Sequence, residues 1–518
     1  MSETKKKLLG DPLASNYHLV ASANTMETGS LRFMNEKHRN LHGMGWFVTC
    51  LFIVGETAGG GLIALPSALS NAGIFSGLLI VAVVAAACMY TGMQLSDNWA
   101  ILQQRWPEYR EHCRKPYPAM GNRSLGPGFG KFVSFCLDLT CFGTACVFLL
   151  LAAKNIESFL IAWGGVEIGF CQILIYVSIC VLPVTMLKSP KDFWWAVMLA
   201  MVTTTIAVSL IIYGSIEDYP TCSRHISYPE FSMEKTFMSF GTVVFAYGGH
   251  GAFPTIQHDM REPYKFGKAC TLAFVLICVM YLPVSLTGYF TYGGSLMDTI
   301  IPSLQNANLQ MAVNCLITLH VILALTIMFN PINQSFEELM KVPHDFCWQR
   351  VAARTFVMAC VVFAAESVPN FGPLLDLVGG STITLMALIF PCVFNLCLCA
   401  GKEKYKGEEA SKDEEPVSLS DILEYTPKKK LLINLLVLLM AVIGGCAATF
   451  SAVDTMMNLE FHPPCYAAWF TGHLPNSQTA HLDNHGKFAC CGEHRNISRF
   501  GLDYCLNPFE QIGAASHG

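Results

Sequence analysis

About eleven apolar runs divide this chain between residues 44 and 453, each close to the length a helix needs to cross about 30 Å of hydrocarbon. They lie at 44–70, 74–96, 132–160, 168–187, 193–213, 236–258, 269–292, 308–330, 351–367, 372–399 and 430–453. Repetition on this scale constrains the fold more than any motif. It predicts an all-α polytopic membrane protein with about eleven transmembrane helices. The 518 residues are 53% hydrophobic and only 14% charged, which excludes a disordered chain and an ordinary soluble domain. The first forty residues are polar and carry no short cleavable signal.

Lys and Arg set the expected orientation, because loops that stay inside are basic. The N-terminal segment carries Lys5, Lys6, Lys7, Arg32, Lys37 and Arg39, and every second loop repeats the bias, as at Arg105, Arg110, Arg114, Lys115, Arg123 and Lys131. The intervening loops are nearly bare of positive charge. The expected arrangement is a cytoplasmic segment over 1–43, a membrane domain over 44–455 with a charged cytoplasmic loop at 400–430, and an extracytoplasmic Cys/His-rich tail over 456–518. That tail contains the acceptor triplet Asn496-Ile497-Ser498 and Cys465, Cys490, Cys491 and Cys505, so glycosylation at Asn496 and disulfides are expected there. Its histidines lack the tight spacing of a zinc site, and no metal is expected.

Two of the runs are interrupted. The first contains FIVGETAGGGLIALPSALSNAG (52–73), with three consecutive glycines, a carboxylate and a proline; the sixth contains FGTVVFAYGGHGAFPTIQHDM (240–260). The two are five spans apart. An odd number of spans per repeat starts the second copy from the opposite face, so broken helices 1 and 6 predict an inverted five-plus-five repeat. Each glycine lowers helix propensity by about 1 kcal/mol relative to alanine. Amides freed at residues 59–62 form a positive dipole end suited to a carboxylate, and freed carbonyls suit a cation. The alternative for any one glycine is close helix packing.

The candidate substrate-binding residues are Thr57, Gly59, Gly60, Gly61, Tyr247, Gly248, Gly249 and His250. Glu56 is a candidate coupling group, because a carboxylate at mid-span must be paired or protonated; its alternatives are to support the broken helix or to contact the substrate amine directly. His250 either relays protons or bonds the unwound backbone. Thr326 is a candidate ion ligand, with back-bonding to its own helix as the alternative. Asp138, Thr140, His320, Asn330, Asn333 and Glu366 are further polar positions inside spans. No phosphate-binding loop is present, so neither ATP-driven pumping nor a nucleotide cofactor is expected, nor is nucleic acid a partner. The solute expected from these features is small and zwitterionic, moved without any cofactor other than a coupling H⁺ or Na⁺.

The segments GGGLIALPSALSNAG (59–73) and FAYGGHGAFPTIQHDM (245–260) resemble the amino acid/auxin permease family, in particular a divergent invertebrate branch, over about residues 40–455. The resemblance implies a LeuT-like fold and alternating-access transport of small amino acids driven by Na⁺ or H⁺. It implies a transporter and not an enzyme. Sodium-coupled members have an asparagine where this chain has Gly55, which turns the expectation toward proton coupling or uniport. An amino-acid-sensing receptor on the same fold is the competing expectation, and either the plasma membrane or an endolysosomal or vesicular membrane suits the chain.

Overall fold

The computed structural model describes residues 39, 40, 43–111, 113–161, 168–186, 194–343, 347–406, 415–458, 490–493 and 495–500. Among these residues the regular structure is helical, with two isolated β-bridges, Met44 to Met260 and Cys491 to Ile497. The helices in chain order are α1 (Trp46–Thr57), α2 (Leu65–Ala72), α3 (Ile74–Arg105), α4 (Pro116–Leu125), α5 (Pro127–Phe159), α6 (Phe170–Thr185), α7 (Trp194–Cys222), α8 (Met233–Tyr247), α9 (Phe253–His258), α10 (Phe266–Tyr292), α11 (Ala307–Leu339), α12 (Trp348–Ser367), α13 (Phe371–Val378), α14 (Phe390–Lys404), α15 (Leu419–Tyr425) and α16 (Lys428–Asn458). Two π-helical segments, Gly379–Ile383 and Leu385–Ile389, join α13 to α14 into one rod.

Seven described helices are long and apolar enough to cross a membrane, and α1 with α2, bent by 53°, makes an eighth. The expected count of about eleven is therefore met in part. The other three apolar runs are also helical, but α6 has 16 residues, α8 and α9 are separated by a break, and α12 carries Arg350, Arg354 and Glu366. Large apolar side chains stand at the periphery, with Phe75 89% and Phe450 73% exposed. A soluble protein would bury them; here they face lipid.

Local sequence sets the helix ends. Gly73, between α2 and α3, has φ +77°, and Gly126, before α5, has φ +91°, a region that favours glycine. Pro127 then opens α5, where a missing amide proton costs nothing. The interior packs α5 and α7 against α11, α10 against α7 and α1, and α8 against α2 and α16. Glu337 on α11 is buried between Arg350 at 3.0 Å and Arg354 at 2.6 Å on α12, and Arg354 also donates to the Thr185 carbonyl of α6. Buried charge is tolerated there because it is paired and hydrogen-bonded.

Of the expectations for the tail, disulfide bonding is met at the part that is described. Cys491 forms a disulfide with Cys222 at the end of α7. Cys171 and Cys490 are disulfide-bonded as well. Arg499 pairs with Glu217 at 2.9 Å, and its amide donates to the Gln305 side chain. Asn496 is exposed. The four tail histidines His462, His473, His481 and His485, as well as His494, lie outside the described residues.

Candidate functional site: two crossed interruptions

The first interruption covers residues 58–61. Helix α1 stops at Thr57, and a short 3-10 turn, Leu62–Ala64, leads into α2, with Pro66 in its first turn. The second covers residues 248–252, between α8 and α9. The two chains cross. A Cβ placed on Gly61 would lie 2.6 Å from the Ala246 Cα, and one on Gly249 would lie 2.8 Å from the Thr57 Oγ1. Glycine is required at the crossing because backbone meets backbone there.

Beyond the crossing, like ends meet. The Ser239 hydroxyl of α8 donates to the Ala68 carbonyl of α2. On the opposite side the Met44 amide donates to the Asp259 carbonyl and the Arg261 amide to the Met44 carbonyl, at 3.0 and 2.7 Å. A Cβ on Gly43 would lie 2.4 Å from the Arg261 amide nitrogen, so this contact also depends on glycine. Arg39 and Lys265 flank Glu262 at 3.3 and 2.5 Å. The Lys265 ammonium, followed by the Tyr264 hydroxyl, holds the Glu262 carboxyl below its ordinary value.

The loop before α11 roofs the first interruption. The Ile300 amide donates to the Ile63 carbonyl at 2.9 Å, and the Ser70 hydroxyl to the Gly293 carbonyl at 2.9 Å. Gln305, farther along the same loop, donates its amide to Asp218 on α7, which also accepts from the Tyr292 hydroxyl at 2.7 Å.

The sequence-derived candidates fall into three groups. Thr57, Gly59, Gly60, Gly61, Tyr247 and Gly249 gather at or beside the crossing. The Thr57 hydroxyl is buried without a hydrogen-bond partner, and the amides of Gly60 and Gly61 donate to no described acceptor. Gly60 faces Phe148 and Leu151 of α5, an apolar wall. Tyr247 is buried with its ring stacked on Phe274. Gly248 packs against Ile383, away from Thr57.

His250 turns elsewhere. Its Nε2 donates to the Cys88 carbonyl at 2.9 Å and lies 3.2 Å from the Thr91 hydroxyl, which ties the second interruption to α3. Thr326 donates its hydroxyl to the Leu323 carbonyl within its own helix. Glu56, half-buried, has no hydrogen bond or ion pair among the described residues.

One residue at the crossing went unread in the sequence. The Tyr281 hydroxyl of α10 lies 2.8 Å from the Ala246 carbonyl and 3.1 Å from the Thr57 carbonyl, so one donor serves the C-terminal ends of both α8 and α1. Such ends leave carbonyls without intrahelical partners. The only signal in the sequence was a tyrosine at mid-span.

The family "Transmembrane amino acid transporter protein" matches residues 42–413. The chain is 24% identical over 411 residues to the amino acid transporter AVT1D of Arabidopsis thaliana, covering 77% of this chain and 68% of that one. It is 21% identical to the proton-coupled amino acid transporter-like protein pathetic of Drosophila melanogaster, over 67% of this chain and 76% of that one. It is also 21% identical to the lysine histidine transporter-like 3 of Arabidopsis thaliana, over 79% of this chain and 90% of that one. These relatives are transporters, not enzymes. With its match across the helices that carry both interruptions, this integral membrane protein belongs to the transmembrane amino acid transporter family.

Proposed function

We propose that the chain is a secondary transporter of small neutral, zwitterionic amino acids, working by alternating access through an inverted five-plus-five repeat of ten spans with an accessory eleventh. The observation that carries the reading is the crossing itself, where Thr57, Gly60 and Gly61 hold polar groups with no partner among the described residues. Buried polar groups left unpaired cost about 1–3 kcal/mol each, and a ligand that pairs them recovers it. The amides of Gly60 and Gly61, at the N-terminal end of the outer half-helix, suit a carboxylate. Phe148 and Leu151 leave an apolar face for a small side chain.

The proposed orientation has the N-terminus in the cytoplasm and the tail outside. The disulfide between Cys222 and Cys491 supports it, because it joins the end of α7 to the tail across an even number of the proposed spans. Glu56 is the proposed coupling group, with H⁺ as the ion; it stands one residue before Thr57 without a countercharge among the described residues.

The test is uptake and counterflow of labelled amino acids in proteoliposomes at two pH values, with and without Na⁺. Saturable exchange of neutral amino acids that rises at low outside pH is the expected result. Binding without exchange would instead identify a sensing receptor. For Glu56→Gln the expected outcome is exchange that survives while the pH dependence is lost; unchanged pH dependence removes Glu56 from the coupling role.

A further inference from the structure

His320 lies on α11, is fully buried, and reaches the first interruption at Gly59. Its Nδ1 is 3.1 Å from the Ala200 carbonyl and 2.8 Å from the Thr204 hydroxyl, both on α7. A carbonyl can only accept, so Nδ1 carries the ring proton. No acid pairs with the ring among the described residues, and the neutral tautomer leaves Nε2 as a bare lone pair. That nitrogen is buried without a partner. It faces the interruption directly, since a Cβ on Gly59 would lie 2.6 Å from it.

The first interruption therefore holds opposite valences on neighbouring residues. Gly60 and Gly61 present unpaired donors, and His320 presents an unpaired acceptor against Gly59. A carboxylate has no hydrogen to offer Nε2, whereas an ammonium has three. Resting on the transport reading above, we propose that His320 is a substrate-binding residue whose Nε2 accepts a hydrogen bond from the primary ammonium of the amino acid. Gly59 covers the nitrogen in the present conformation, so the ammonium reaches it only as residues 58–61 move. Binding is thereby tied to rearrangement of the broken helix. The Thr204 and Ala200 contacts keep the ring in the tautomer that accepts.

The experiment uses the purified full-length chain and compares L-alanine with its N,N,N-trimethyl analogue, which keeps the carboxylate, the charge and the side chain but has no N–H. Affinities are read by titration calorimetry and by competition of uptake. Wild type should prefer L-alanine. His320→Leu should weaken L-alanine about tenfold to a hundredfold, as expected for a hydrogen bond to a charged group, and should leave the analogue within twofold. His320→Gln, whose amide oxygen can accept, should restore part of the preference; His320→Phe supplies a second non-accepting variant if the leucine form is not recovered. L-Alanine affinity within twofold of wild type in a non-accepting variant, or equal weakening of both ligands, overturns the assignment while transport stands. A wild-type chain that binds no neutral amino acid at all overturns the transport reading itself.

Discussion

The interruption at 58–61 includes one glycine closed by backbone, whereas the glycines at 248–252 meet side chains first. Gly61 meets the Ala246 Cα and Gly59 meets a ring locked between two helices, whereas Gly251 meets the end of Leu137 and Gly248 the end of Ile383. Polar groups stand open in both. The first interruption keeps the Thr57 hydroxyl, the Gly60 and Gly61 amides and, at its edge, the His320 Nε2, and the second keeps the His250 Nδ1 and the amides of Gly249, His250 and Gly251 without a partner among the described residues. The difference lies in anchorage, because the His250 Nε2 is bonded to the Cys88 carbonyl on α3. The second interruption reads as the anchored wall, and the first as the side that receives solute and moves.

Gly61→Ala against Gly251→Ala is the strongest way to break this comparison. A methyl on Gly61 forces two backbones apart and has no side chain to displace, so overpacking of about 1–3 kcal/mol falls directly on the crossing. Uptake should be lost, or fall more than tenfold, with protein abundance retained. Gly251→Ala asks only that Leu137 change rotamer and should keep at least half of wild-type uptake. Equal losses in the two variants would show that both interruptions are alike.

Tyr281→Phe tests the one group the interruptions share. Removing the hydroxyl leaves the Ala246 carbonyl short of a donor and the Thr57 carbonyl with the Gly59 amide alone, at about 1–3 kcal/mol in a dry interior. Uptake should fall about tenfold and the melting temperature should drop by several degrees. An unchanged melting temperature would mean that water replaces the hydroxyl.

Much of this arrangement was legible in the sequence. Glycine clusters five spans apart marked both interruptions, and apolar runs marked the helices, because lipid forces the backbone to show its exceptions through composition. What could not be read was direction. Nothing in YGGHG says that the imidazole bonds α3 rather than the first interruption, and nothing around Tyr281 says that two helix ends meet its hydroxyl. His320 was visible as a polar residue in a span, but its significance depends on Ala200 and Thr204, more than a hundred residues away. The runs 168–187 and 351–367 read as spans, yet α6 has 16 residues and α12 carries Arg350 and Arg354 paired with Glu337, so neither is by itself as long and apolar as the other spans.

Thr57→Val separates chemistry from packing in the first interruption. The shapes match, and the Thr57 hydroxyl makes no hydrogen bond in the closed form, so the substitution should leave stability unchanged or slightly raised. If that hydroxyl pairs with solute, the KM for uptake should rise about fivefold to tenfold at constant abundance. A lowered melting temperature with unchanged KM would return Thr57 to a packing role.

Asn496→Gln has the smallest expected effect on transport and decides which way the comparison faces. The segment carrying Asn496 is held to α7 by the Cys222–Cys491 disulfide and by Arg499 on Glu217, while Arg499 also donates to Gln305 in the loop that roofs the first interruption. Whatever compartment glycosylates Asn496 is therefore the compartment under which α2, Ile63 and Ile300 lie. Wild-type protein should shift in mobility on treatment with an N-glycosidase, and Asn496→Gln should not, with uptake within twofold. Asn333, buried in α11, offers no competing acceptor, and Asn122 lies near the basic loops. A wild-type chain without the shift, produced in a host that glycosylates, would place the roof on the cytoplasmic side and invert the order in which the two interruptions meet solute.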